Sequence, residues 1–235
     1  MTLYSQEKWK IDVQLIGHEK NPLLIIDNFC NTPNALTDQA CSGEPFIAQA
    51  SDFYPGLRKQ VDGNYPAQSL NAITSLVREV FSIDASRAVQ QSLCAFSLTT
   101  TPPEKLRPIQ SVPHIDTHDP SHFAMVHYLC PNSYGGTSFY RHRSTGHESI
   151  TQERLTNYFK ILKQEVMEEQ QTRFNYINGD THLFERIAQV PVAFNRAVIY
   201  RSNQLHSGDI SAQLGLSENP KQGRLTVNSF FSFIE

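Results

Sequence analysis

The chain has 235 residues, 39% of them hydrophobic and 18% charged, with a formal net charge of −3. That composition suits a globular chain that buries a core and not a disordered one. No lysine or arginine run stands out and no apolar run reaches membrane-spanning length, so neither nucleic acid nor a membrane is an expected partner.

The first residues show no basic stretch leading into an apolar core. Cys30, Cys41, Cys94 and Cys130 have no paired spacing. They read as reduced, mostly buried thiols of a cytoplasmic protein. The nine histidines say more, because six of them fall between residues 114 and 147.

Trp9 to Leu15 alternates apolar and polar residues and predicts a half-buried strand. Leu23 to Phe29 is a continuous apolar run and predicts a more buried one. Thr32-Pro33 has the look of an N-cap with proline at the first helical position, and Gly43 of a stop, which gives a helix near 33–41. Phe53-Tyr54-Pro55-Gly56-Leu57-Arg58 reads as a loop whose aromatics pack under a turn, with contact to a ligand as the alternative. Leu70, Ile73, Leu76, Val77, Val80 and Phe81 recur at helical spacing and predict a helix over 66–81, with a short helical piece after Asp84.

From about residue 90 the character changes to short strands separated by turn signals. Leu93 to Thr101, Ile109 to Asp116, Phe123 to Leu129, Thr137 to Arg143, His182 to Phe194, Ala197 to Tyr200 and Leu225 to Ile234 all read as extended. Gly135-Gly136 marks a tight turn. This pattern predicts a mainly β chain with supporting helices, an antiparallel sandwich or jelly roll. One helix interrupts it, near 148–171, with Ile150, Leu155, Tyr158, Phe159, Leu162 and Val166 on one face. Residues 1–90 read as strands and helices packed on a core formed by 91–235, without a clear linker between them.

In an extended segment, residues two apart point to the same side. His114 and Asp116 therefore aim an imidazole and a carboxylate at one point. His206, at the end of a buried strand and before Ser207-Gly208, can supply the third ligand. Two histidines and one carboxylate on one face leave positions open, the arrangement of non-haem Fe(II) oxygenases. Zinc is the rival metal, although no HExxH pair is present. His118 and His142 are the reserve ligands. Arg224 opens the last strand with Thr226 and Asn228 on its face, and its planar fork suits a carboxylate. It reads either as the holder of a dicarboxylate co-substrate inside a barrel or as a surface arginine on an edge strand.

These residues resemble the Fe(II)/2-oxoglutarate-dependent dioxygenases, and among them the prolyl-hydroxylase-like branch. The resemblance covers roughly residues 90–235. His114-x-Asp116 is similar to that family's first two ligands, and Asn195 to Ser202 to the strand before the distal one, here His206. Tyr128-Leu129 resembles a Tyr-Leu-Asn in which the tyrosine helps bind the far carboxylate of the co-substrate, with Cys130 in place of the asparagine. Gly135-Gly136 is similar to the pair that follows. The stretch from His206 to Arg224 is longer than usual, and residues 210–222 are expected to form a loop near the site mouth.

The resemblance implies a double-stranded β-helix of cupin-like form, Fe(II) as cofactor and 2-oxoglutarate as co-substrate. It implies hydroxylation of a C–H bond in a small molecule or a protein side chain. The catalytic and metal residues would be His114, Asp116 and His206, with Arg224 and Tyr128 binding the co-substrate. Phe139, Tyr140 and Phe230 are candidate pocket aromatics, and Arg141 and Arg143 candidate partners of an acidic group. The contrasting reading is a non-catalytic cupin-type metal- or ligand-binding protein; a third is a partner-binding domain that uses the 148–171 helix. A homodimer is compatible with either.

Overall fold

Period-two and continuous apolar runs become strands, and the 3.6-period stripe becomes a helix laid across them. The computed structural model describes residues 4–48, 53–168, 175–211 and 213–235. In chain order the elements are β1 (Lys10–Ile16), β2 (Asn21–Asp27), α1 (Pro33–Ala40), β3 (Gly56–Gln60), α2 (Tyr65–Phe81), β4 (Ala88–Thr99), β5 (His122–Tyr128), β6 (Thr137–His142), α3 (Gln152–Glu168), β7 (Phe184–Val190), β8 (Ala197–Arg201), β9 (His206–Gly208) and β10 (Leu225–Ile234).

A seven-stranded antiparallel sheet has the order β1-β2-β8-β5-β10-β4-β3, and a smaller sheet the order β7-β6-β9. His114 extends the smaller sheet through a bridge to His206. From β4 onward the chain crosses repeatedly between the sheets, which closes them face to face as a double-stranded β-helix. The strands of the first 90 residues join the same large sheet, β1 and β2 beyond β8 and β3 beyond β4.

Alternation along each strand divides the residues between two faces. Phe96, Leu98, Phe123, Met125, Val227, Phe231 and Phe233 meet Leu36 of α1 and Leu70, Ile73, Val77 and Phe81 of α2 in the outer core. Burying each of the larger α2 side chains contributes roughly 2 kcal/mol. On the inner face Ala124, Tyr128, Val198 and Tyr200 meet Phe139 and Val190 of the smaller sheet. The space this inner core leaves unfilled is the cavity described below. Among the described residues no helix is long and apolar enough to cross a membrane.

Several local expectations change. β1 is an edge strand, and its apolar residues Ile11, Val13 and Leu15 are 48%, 47% and 62% exposed; alternation identified the strand but not what covers it. Residues after Asp84 form a turn, because the Asp84 carboxylate accepts the Ser86 N–H and hydroxyl. Residues Pro108–Gln110 form a 3-10 turn, so only the last part of the expected 109–116 strand is extended. α3 begins at Gln152 and is described to Glu168, and residues 169–171 of the expected helix lie outside the described residues. Cys30, Cys41, Cys94 and Cys130 are free thiols, with Cys41 exposed.

Candidate functional site

Three backbone contacts bring the proposed ligands together. His114 and His206 exchange N–H···O bonds of 2.9 Å in both directions, and the Asp116 N–H donates to Ser202 O at 2.8 Å. Their rings lie 4.4 Å apart. His114 Nε2 is 3.9 Å from Asp116 Oδ1, and His206 Nε2 is 3.7 Å from Asp116 Oδ2. One donor atom from each of the three residues lies within 4.8 Å of the others, the one such His/Cys/Asp/Glu group among the described residues. An ion with bonds of about 2.1 Å holds its donors roughly 3–4 Å apart, so the set fits one metal after a small inward movement.

The tautomer of His206 is fixed. Its Nδ1 is 2.9 Å from Gln204 O, a carbonyl that can only accept, so Nδ1 carries the proton and Nε2 keeps its lone pair for a metal. Burial lowers the His206 pKa to about 4, against the smaller raising effect of the Gln204 carbonyl. The imidazole therefore stays neutral, the form that ligates.

The triad opens into a cavity of about 760 Å³ that Arg224 also lines. Arg224 is 5% exposed. It donates from Nε to Gly135 O at 3.1 Å and from Nη2 to Gly136 O at 2.8 Å, two of the five N–H bonds that a guanidinium carries. The guanidinium carbon sits 5.6 Å from the centre of the Tyr128 ring. Tyr128 is fully buried and pairs its hydroxyl with Thr137 Oγ1 at 2.6 Å. Thr137 and not Tyr128 lines the cavity. Burial pushes the Tyr128 phenol up to about 12 while the Arg224 charge pulls it down.

Arg224 thus stands inside the barrel and not on a surface edge. The long connection before it folds back, so that Arg224 N–H donates to Gly215 O at 2.9 Å. Ile210 and Leu216 pack with Leu106 and Tyr176 beside the cavity, and Ile210 and Tyr176 line it. Tyr200 lies between the two ends: its ring is 4.7 Å from His206, and both Asp116 and Arg224 influence its strongly raised phenol, after burial.

The model of the family of unknown function DUF6445 matches residues 7–231. The chain belongs to this family. A search among curated proteins finds no match for this DUF6445 chain. Among solved structures it is similar to the non-heme alpha ketoglutarate dependent epimerase SnoN from nogalamycin biosynthesis. That alignment has 12% identity and a TM-score of 0.46, over 91% of this chain and 78% of that one. It is also similar to a 2OG-Fe(II) oxygenase family oxidoreductase from Burkholderia pseudomallei, at 11% identity and TM-score 0.42, over 89% and 84%. HygX from Streptomyces hygroscopicus, solved with nickel and 2-oxoglutarate bound, matches at 10% identity and TM-score 0.44, over 91% and 84%. At these TM-scores the likenesses decide nothing about the site.

Neither reserve ligand belongs to the His114–Asp116–His206 group. His142 is held by Glu165 at 2.8 Å and Thr145 at 3.0 Å, and His118 is absent from the cavity wall. Of the expected pocket aromatics only Phe230 lines the cavity, while Phe139 and Tyr140 are buried in the core. Arg141 pairs with Glu148 and Glu185, and Arg143 with Asp180. The sequence places Tyr54 and Arg58 in a loop with its aromatics under a turn, Tyr158 on the packing face of a helix and Tyr200 in a short apolar strand, and it marks nothing at Tyr176; all five line the cavity. The Tyr158 hydroxyl is buried without a hydrogen-bond partner among the described residues. Period-two spacing placed Tyr200 on one face with Val198, but only the sheet register says which face is inside.

Proposed function

We propose that this chain is a non-haem Fe(II)- and 2-oxoglutarate-dependent oxygenase that hydroxylates a C–H bond of a small molecule or a protein side chain. The observation that carries the reading is the convergence of His114, Asp116 and His206 in a cavity that also holds the buried Arg224. His114 Nε2, His206 Nε2 and one Asp116 oxygen would hold the metal, and two histidines with one carboxylate match Fe(II) better than a hydrolytic zinc site. Bound there, Fe(II) supplies the oxygen-activating chemistry that no side chain can provide.

The chain's own residues do the positioning. The Gln204 carbonyl keeps the His206 proton on Nδ1. Arg224, oriented by the Gly135 and Gly136 carbonyls, offers its remaining N–H groups to the far carboxylate of the co-substrate. Tyr128 supports that guanidinium from beneath with its ring. The same contacts support the finer placement in the prolyl-hydroxylase-like branch, because the Gly-Gly pair and the tyrosine both touch Arg224. Asp116 keeps a carboxylate at the metal, which favours oxygen insertion over delivery of an added anion.

The test is an anaerobic titration of the metal-free chain with Fe(II), then 2-oxoglutarate, recorded by visible absorption. A charge-transfer band that appears with 2-oxoglutarate and disappears in His206→Ala is the expected result. Tight iron binding without the band would favour a cupin-type binding protein. Absence of iron binding would end the metal assignment.

A further inference from the structure

The large sheet has an open edge. β1 ends the strand order, and among the described residues it pairs with β2 on one side and with no strand on the other. All seven residues of Lys10–Ile16 match β2 without a shift in register, and none is proline. A straight edge of this length presents a row of N–H and C=O groups that can template another strand.

The two faces of β1 differ. Ile11, Val13 and Leu15 stand opposite Ile26, Leu24 and Pro22. Cross-strand partners share a face, and Ile26 and Leu24 are fully buried in the outer core. The stripe of Ile11, Val13 and Leu15 therefore continues that apolar face beyond the cover of α1 and α2. Lys10, Asp12 and Gln14 point the other way, and Gln14 Nε2 donates to Asp12 Oδ2 at 2.7 Å.

We infer that β1 joins two copies of this chain edge to edge, antiparallel, about a two-fold axis through Val13. Val13 is the middle residue of the strand, so this axis pairs all seven positions. It sets Val13 against the partner's Val13, Ile11 against the partner's Leu15, and Asp12 against the partner's Gln14. Six apolar side chains then form one strip, and no two like charges face each other. A carboxylate has several acceptor positions and an amide two N–H groups, so the Gln14–Asp12 contact within each strand can persist while another forms across the axis. An axis through Asp12 would pair five residues and oppose two carboxylates, which is destabilising. An axis through Gln14 would also pair five and would leave Asp12 against the partner's Ile16. The charge pattern and the full overlap thus select one closed, self-complementary arrangement. β2 already holds β1, so each copy folds without the contact. One added strand buries less than the roughly 1,200 Å² of a standard interface, and half of the chains are expected to pair at about 100 µM. The inference is independent of the oxygenase reading.

The experiment is sedimentation equilibrium of the full chain and its variants. Between about 5 µM and about 500 µM the average mass of the parent should rise about 1.5-fold, toward but not past twice the mass of one chain. Val13→Lys sets two ammonium groups against each other on the axis and should hold the mass at that of one chain. Val13 is half exposed, and urea unfolding of the variant at low concentration checks that its fold is kept. Ile11→Lys and Leu15→Glu should each weaken pairing. The two together in one chain place opposite charges across the axis twice and should restore it. A parent that stays at the mass of one chain at about 500 µM would overturn the inference and leave the edge to a strand of a different protein. Pairing that survives Val13→Lys would move the interface to another surface. Pairing that both single variants weaken and the double variant fails to restore would end the register, and with it the inference. Masses that climb past two chains would replace the closed pair with open-ended association.

Discussion

Asp116 shows how much depends on single atoms in this cavity. It lies within 4 Å of both imidazole Nε2 atoms and supplies the only negative charge among the described cavity-lining side chains. Asp116→Ala leaves two neutral ligands. Losing an outer partner of a ligand already weakens metal binding 10–100-fold, so losing the ligand itself should cost at least about 100-fold. Fe(II) titration measures this, and undiminished affinity or turnover would sink the assignment. Arg224 acts at the other end. Removing one partner of a buried charge pair costs about 3 kcal/mol or more, which is over 100-fold in affinity. Arg224→Ala should weaken 2-oxoglutarate binding by that factor and leave Fe(II) binding unchanged. Arg224→Lys should recover only part, because a point charge cannot bond to two carbonyls and a carboxylate in one plane.

At the level of elements, the turn before β6 does two jobs. Gly135 has φ of +81°, and a Cβ on it would fall 1.5 Å from Asp209 O; one on Gly136 would fall 1.8 Å from Val190 O. Both obstacles are backbone, so neither can swing away. Gly136→Ala should therefore cost about 2 kcal/mol or more in urea unfolding. It should also weaken 2-oxoglutarate binding, because the Gly136 carbonyl orients Arg224. Elements of this kind were legible where local chemistry decides them. Ile73, Val77 and Phe81 announce α2, and Gly135-Gly136 announces the turn. His114-x-Asp116 was legible because side-chain direction in an extended segment is local. Arg58 was not, since β3 is short, lies among turn residues, and acquires its inward face only by pairing with β4. β1 failed in the opposite sense. Its alternation is genuine, yet no layer among the described residues covers Ile11, Val13 and Leu15, a fact that sits in the tertiary arrangement and not in the strand. Leu15→Lys should accordingly change folding stability by less than about 0.5 kcal/mol.

For the whole molecule, the helical layer and the sheet are joined through His127 on the outer face of β5. Its Nδ1 is 2.8 Å from the Tyr65 hydroxyl of α2, and its Nε2 is 3.1 Å from Asn195 Oδ1. The Asn195 side chain is fixed in turn by the N–H and carbonyl of Cys30, at 2.9 Å each. Its Oδ1 accepts, so the His127 Nε2 carries the proton and the Nδ1 accepts from the phenol. The neutral ring satisfies every partner. A second proton on Nδ1 would meet a hydroxyl already donating, far from water. Burial lowers the His127 pKa from 6.5 to about 4, opposed by the Asn195 hydrogen bond. Because the folded-state value is depressed, the unfolded chain takes up the proton first. Stability that is complete above pH 6.5 is lost as pH falls from 6.5 toward 4, and the difference amounts to about 3 kcal/mol once both states are protonated. His206 loses stability over the same window in the metal-free chain, so the informative quantity is the difference between the parent and His127→Gln. Urea unfolding at about pH 7.5 and about pH 5 should show a smaller pH dependence in the variant, by one proton's share. An unchanged dependence would mean that the helical layer does not depend on a neutral His127, and that acid sensitivity comes from the site alone.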